Sequence, residues 1–184
     1  MEEKKHTYKD SLKELVPYVI IIFTVILIRS FLFSPIKVNG TSMVNTLHDG
    51  DTMILNKISY KFSNLKRFNI VVIKTENSYL IKRIIGLPGE KIKYEIKDNK
   101  GVLYINGKKI NEEFIDEETK VKTCDIDSDL CKDGILVPKD RYFVMGDNRG
   151  DSIDSRIIGP ISKDNITGTT KLILFPIKDF GIVK

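Results

Sequence analysis

Tyr79-Leu80-Ile81-Lys82-Arg83-Ile84-Ile85-Gly86 is an aromatic-led, isoleucine-rich run closed by glycine, the texture of a β-strand. Two cations stand side by side in its middle. Successive strand side chains alternate faces, so Lys82 and Arg83 point opposite ways: Leu80 and Ile84 share a face with Lys82, and Ile81 shares one with Arg83. An ammonium flanked by Leu80 and Ile84 is partly desolvated in such a strand. That lowers its pKa and makes a neutral amine available near pH 7. The alternative is a surface lysine whose stem merely covers apolar atoms.

Outward from this run, residues 36–38, 52–56, 70–74, 91–96, 102–105, 142–145 and 169–175 are further short apolar stretches separated by turn residues. Asn106-Gly107, between Tyr104-Ile105 and Lys108-Lys109-Ile110, is the strongest hairpin signal, because Asn-Gly accepts the positive φ angles of a type I′ turn. Leu87-Pro88-Gly89 marks a second sharp turn. Beyond residue 33 no stretch sustains a 3.6-residue apolar period, and there is neither an internal repeat nor a low-complexity tract. Residues 111–140 are acidic and polar, and read as part of a looped insertion around 97–140. The expectation for 34–184 is therefore a mostly β, antiparallel domain.

The N-terminal part has a different texture. Residues 15–28 (LVPYVIIIFTVILI) carry no charge; Arg29 and Ser30 interrupt the run and Phe31-Leu32-Phe33 resume it. From 15 to 33 the stretch is 19 residues long, close to the roughly 20 that span the hydrocarbon of a bilayer. One arginine near an end snorkels to the interface. Lys4, Lys5, Lys9 and Lys13 precede the run and only Lys37 follows it closely. The positive-inside rule then places 1–14 in the cytoplasm and 34–184 outside, on a single-pass anchor in the cell membrane. A cleaved signal peptide would have a shorter apolar core followed by small residues. Bulky Phe31, Leu32, Phe33 and Pro35 stand there instead, which favours an uncleaved anchor.

Composition narrows the function classes. With 41% hydrophobic and 30% charged residues the chain belongs among folded proteins. The net charge of +5 is spread along the chain, without the basic stripe and interleaved aromatics of a nucleic-acid binder. It suits either an anionic membrane surface or an ordinary solvated one. Cys124 and Cys131 lie far from His6 and His48, the only histidines, so no zinc site is expected. Their spacing admits either a small disulfide loop in an oxidising compartment or two free thiols.

Two more polar clusters join the lysine strand: Asn39-Gly40-Thr41-Ser42-Met43, with Thr46-Leu47 after it, and Gly146-Asp147-Asn148-Arg149-Gly150-Asp151-Ser152-Ile153-Asp154-Ser155-Arg156. A serine nucleophile needs a base. His6 falls before the anchor and His48 sits in a solvated His-Asp-Gly-Asp turn, so a Ser–Lys pair is simpler than a Ser-His-Asp triad. The glycine-rich cluster is no Walker loop, since Gly-x₄-Gly-Lys-Ser/Thr is absent. Asp147, Asp151 and Asp154 could form a cation loop, but Arg149 and Arg156 can offset their charge. Neither metal nor cofactor is expected.

Taken in order, the three clusters resemble the bacterial type I signal peptidases, especially the single-anchor Gram-positive kind. Their pattern Gly-x-Ser-Met-x-Pro-Thr-Leu is matched from Gly40 to Leu47, Lys-Arg-(apolar)₂-Gly-Leu-Pro-Gly-Asp/Glu from Lys82 to Glu90, and Gly-Asp-Asn-Arg-x-x-Ser-x-Asp-Ser-Arg from Gly146 to Arg156. The resemblance implies Ser42 as nucleophile and Lys82 as general base, in a membrane-bound serine endopeptidase that removes N-terminal signal peptides from secretory preproteins. It implies that Ser152 orients the lysine, that Asp154 and Arg156 form a supporting salt bridge, and that the Ser42 amide is one oxyanion donor. Val38, Met43, Leu80 and Ile81 would line pockets for small side chains before the cleavage point, with substrate bound as an added strand. Asn45 departs from the pattern's proline and loses its fixed φ. Asn69 replaces an aspartate, and Gly40 leaves the second oxyanion donor unassigned.

Rival readings are weaker on the page. Ser34-Pro35-Ile36-Lys37 and Ser63-Asn64-Leu65-Lys66 match Ser-x-x-Lys but lack the partner motifs of penicillin-binding proteins. Self-cleaving repressors share the Ser–Lys chemistry and would carry a DNA-binding unit in place of the apolar segment. A non-catalytic anchored β module, or a specialised paralogue processing pilin-type substrates, would keep the fold and differ in what Ser42 and Lys82 do.

Overall fold

The computed structural model describes residues 8–58, 65–125 and 129–183, with side chains from residue 13 onward except those of 28–31. Lys4, Lys5, His6, Ser63 and Asn64 lie outside the described residues, as do the side chains of Lys9, Arg29 and Phe31. Helix α1, Tyr8–Leu32, covers the apolar N-terminal run and passes through Pro17. The described side chains 13–27 are all exposed, with Phe23 at 61%. Among the described residues no helix is long and apolar enough to cross a membrane. Phe33, expected to end the helical segment, instead opens strand β1, Phe33–Lys37.

The remaining strands are β2 (Thr52–Asn56), β3 (Ile70–Lys74), β4 (Tyr79–Gly86), β5 (Lys91–Lys97), β6 (Lys100–Ile105), β7 (Lys108–Ile110), β8 (Ile135–Leu136), β9 (Arg141–Met145), β10 (Ile161–Ser162), β11 (Ile166–Phe175) and β12 (Gly181–Ile182). One sheet runs β1-β2-β11-β3-β4-β9-β10, with β12 beside β11; a second runs β7-β6-β5-β8. Their pairings are antiparallel. The longer strands agree with the sequence expectation to within a few residues at each end. β8, β10 and β12 are two-residue strands too short to leave a periodicity.

The continuous apolar run of β3 shows why the first sheet is covered on both faces. Ile70 and Val72 enter one buried cluster with Val38, Met43, Met53 and Ile81, while Val71 and Ile73 enter another with Ile84, Tyr142 and Val144. A third cluster joins the sheets through Ile85, Phe143 and Met145 on one side and Ile92, Tyr94, Leu103 and Ile105 on the other. Asn106 and Gly107 take φ of 50 and 77°, as the β6–β7 hairpin requires. Gly89 takes φ of 80° after Pro88, and Glu90 N donates to Leu87 O at 3.2 Å to close that turn.

Segment 111–140 is not the surface loop that its polarity suggested. It holds the short helices Glu117–Val121 and Asp129–Lys132 and a disulfide between Cys124 and Cys131. Its Leu130 and Val137 belong to the third cluster. Gly101 in β6 lies so close beneath it that a Cβ would stand 2.7 Å from Lys120 backbone.

Phe143 is fully buried where the two sheets meet. Phe143→Ala is expected to cost about 3–5 kcal/mol of stability, read from the chemical-denaturation midpoint; a loss below about 1 kcal/mol would mean that this seam is not the core.

Candidate active site

The Ser42 turn follows β1 and is bent by Gly40, at φ 95°, whose amide donates to Asp49 Oδ1 at 2.8 Å. Val44 N donates to Thr41 O, and Thr46 N and Leu47 N donate to Met43 O, so Ser42 is carried on a wound turn. Met43 and Leu47 are buried beneath it and fasten it to the first cluster. Lys82 reaches this turn from the middle of β4. Its Nζ donates to Ser42 Oγ at 2.5 Å across a separation of 40 residues. The lysine is only 2% exposed, so the desolvated reading holds and the surface reading does not.

The 146–156 loop closes over both residues. Asn148 N donates to Ser42 O at 3.0 Å, Asn148 Nδ2 donates to Thr41 O at 3.2 Å, and Thr41 Oγ1 donates to Asp151 Oδ2 at 2.8 Å. Gly146 makes the close approach possible: a Cβ there would lie 2.3 Å from Ser152 Oγ and 2.4 Å from Ser42 O. No larger residue fits.

Three arginines surround this loop, each buried with a carboxylate. Arg83 donates to Asp147 Oδ1 at 2.9 Å and Oδ2 at 2.7 Å, lies 4.0 Å from the Phe114 ring centroid, and donates to Phe68 O at 3.1 Å. Arg156 donates to Asp154 Oδ1 at 2.9 Å and Oδ2 at 2.8 Å. Arg149 is paired with Glu112, and donates to Thr123 Oγ1 at 3.0 Å and to Gly146 O at 3.1 Å. Of the two arginines expected to offset the loop's aspartates, Arg156 does so and Arg149 turns to Glu112 instead. Glu112 was hidden because a glutamate in a polar stretch carries no mark of burial. Arg83 was noticed, but not its partner 64 residues away.

This pairing governs the lysine's charge. Burial drives the Lys82 pKa below its ordinary value; attraction from Asp154, Asp147 and Asp151 opposes the shift, and repulsion from Arg156 assists it. Desolvation is the largest of these causes, and the Arg156 charge beside Asp154 works in the same direction. Among the described residues Lys82 has no carboxylate within 4.0 Å. Burial works to raise the Asp154 pKa, but the Arg156 hydrogen bonds and charge outweigh it and the carboxyl stays below its ordinary value.

Other sequence-expected positions are placed as follows. Asp154 and Arg156 form a salt bridge with both side chains fully buried. Ser152 is buried; among the described residues its Oγ makes no hydrogen bond within 3.5 Å, though its hydroxyl stands near enough to Asp154 to help hold that carboxyl's pKa down. Val38, Met43, Leu80 and Ile81, with Ser42 and Lys82, line a cleft of about 670 Å³ between β1 and the start of β4. The Ser42 amide donates to no acceptor among the described residues. His48 is exposed on a turn where its backbone amide donates to Asp51 Oδ2. Among the described residues no group of three or more His, Cys, Asp or Glu could hold a metal ion. Asn45 stands at φ 101°, a conformation closed to proline, and its Nδ2 donates to Thr119 Oγ1 at 3.1 Å. The missing proline is therefore replaced by a different turn tied to a distant helix.

A desolvated amine thus stands against a hydroxyl at the floor of a cleft. Residues 11–175 match the family model of signal peptidase, peptidase S26. The chain is 42% identical to signal peptidase I T of Bacillus subtilis, over all of this chain and 93% of the relative. Signal peptidase I of Bacillus amyloliquefaciens is 40% identical over all of this chain and 98% of its own length; that of Bacillus licheniformis is 41% identical over 97% and 96%. The chain belongs to the signal peptidase family, peptidase S26, and is a serine-type peptidase.

Asp147→Ala would remove the carboxylate that pairs with the buried Arg83 guanidinium. A stability loss of about 3–5 kcal/mol is expected, measured by thermal unfolding of the full chain in detergent; an unchanged midpoint would show that the pair does not hold the loop.

Proposed function

We propose that this chain removes signal peptides from secretory preproteins as a membrane-anchored endopeptidase, with Ser42 as nucleophile and Lys82 as general base. One observation carries the reading: the 2.5 Å contact between Lys82 Nζ and Ser42 Oγ, made by an amine whose pKa burial depresses. A neutral amine there accepts the hydroxyl proton while Oγ attacks the scissile carbonyl. The oxygen that gains charge faces the open Ser42 amide, which supports its role as one oxyanion donor. The ammonium formed on Lys82 then protonates the departing amine, and the acyl-enzyme is released by water activated by the same lysine.

The cleft supports the substrate class. Among the described residues β1 pairs only with β2, and residues 79–82 of β4 pair only with β3, so two strand edges face each other across it. An extended peptide can add to either edge while Val38, Met43, Leu80 and Ile81 limit the side chains it buries. Those walls suit small residues next to the cleaved bond. For the anchor, the support is the uncharged run 15–28 and the lysines ahead of it; on this reading α1 sits in the cell membrane, with its N-terminus cytoplasmic and the β domain outside.

In detergent, Ser42→Ala and Lys82→Ala are each expected to lower kcat for a secretory precursor by about a thousandfold or more, while the fold survives by circular dichroism. Retained cleavage in either variant would sink the Ser–Lys assignment. Since the neutral amine is the active form, kcat/KM should climb with pH and level off above the depressed Lys82 pKa, at a midpoint below that of an ordinary lysine. A rate flat across neutral and alkaline pH would contradict a lysine base.

A further inference from the structure

The segment that looked like an insertion reaches the site in two places. On its helix Glu117–Val121, Thr119 accepts the Asn45 amide from the Ser42 turn. A few residues later Thr123, which is wholly buried, touches both arginines of the 146–156 loop. Its Oγ1 accepts from Arg149 Nη1 at 3.0 Å and its backbone carbonyl accepts from Arg156 Nη1 at 3.2 Å. The next residue, Cys124, is bonded to Cys131, which closes the segment just beyond Thr123. Without the Thr123 hydroxyl, Nη1 of the fully buried Arg149 would keep only the 3.4 Å contact to Glu112 Oε2.

We propose that Thr123, held by the Cys124–Cys131 disulfide, is a positioning residue for the catalytic lysine: its hydroxyl fixes Arg149, whose backbone carbonyl accepts from Arg156 Nη1 at 2.8 Å, its own carbonyl holds Arg156 directly, and through Arg156 it sets where the Asp154 charge stands relative to the Lys82 amine. The inference rests on Lys82 being the base. The charged groups acting on that amine are Asp154, Asp147, Arg156 and Asp151, all carried by the 146–156 loop, while the Ser42 hydroxyl meets it from the opposite turn. When Arg156 loosens it offsets Asp154 less, the amine keeps its proton more tightly, and a smaller share of Lys82 is neutral at a given pH.

Three variants of the full chain in detergent test this, assayed for kcat, KM and the alkaline limb on one secretory precursor. Thr123→Val removes the hydroxyl at nearly constant volume; kcat should fall about tenfold with KM little changed, and the limb should move up by about half a pH unit. Thr123→Ser should restore both. A double variant, Cys124→Ser with Cys131→Ser, should shift kcat and the limb in the same direction as Thr123→Val. Dithiothreitol should reproduce that shift in the unaltered chain, passing two electrons to the disulfide to leave two cysteine thiols and the cyclic oxidised reagent. Should Thr123→Val fail to fold, the double cysteine variant carries the test alone. Wild-type kcat and limb in the altered chains, or a loss of kcat with the limb unmoved and no rescue by serine, would overturn the positioning role. Lys82→Ala separates the levels: if it stays active the base assignment fails, and if it is dead while the Thr123 and cysteine variants behave as wild type, only this inference fails.

Discussion

Everything at the site depends on a lysine that is almost wholly buried and that, among the described residues, has no carboxylate within 4.0 Å. Burial alone would push its amine toward neutrality, but Asp147, Asp151 and Asp154 all pull the other way. Burial is the larger effect; Asp147 is committed to Arg83 and Asp154 to Arg156, each through two hydrogen bonds. A fork-shaped guanidinium saturates both oxygens of a carboxylate, which a lysine cannot do. Of the two arginines, Arg156 also lowers the pKa of the neighbouring amine by its charge.

The scaffold delivers this arrangement with few local choices. β4 carries two adjacent cations, both buried, of which Lys82 meets the Ser42 turn and Arg83 meets Asp147 and Phe114. The turn is pinned below by Met43 and Leu47 and above by Asn148. Gly146 lets the loop approach within the thickness of a hydrogen atom's reach, since any side chain would collide with Ser42 O and Ser152. Strands on one side and a side-chain-free backbone on the other hold Lys82 Nζ and Ser42 Oγ at 2.5 Å.

The second sheet and the disulfide-closed segment extend that support instead of decorating it. Glu112, Thr119 and Thr123 all come from residues 111–124, and each contacts a side chain of the Ser42 turn or the 146–156 loop. Tyr94, buried beside Arg149 at 5.8 Å, has its phenol pushed upward in pKa by burial and by Glu112, which keeps it neutral in the same enclosed pocket.

By itself the sequence determined the longer strands, because their signals are local: β-branched runs, the Asn106-Gly107 and Pro88-Gly89 turns, and the unbroken apolar run at 70–73. It also marked Ser42, Lys82, Asp154 and Arg156, since three spaced motifs in order are a pattern few chains share by accident. The tertiary structure alone decided which charges meet. Arg149 could pair with any nearby acid and took Glu112, and Asn45 took a left-handed turn and a partner 74 residues away. The folded role of 111–140 was illegible for the same reason: ion pairs and hydrogen bonds across long separations leave no period in a sequence, whereas burial of an apolar face does.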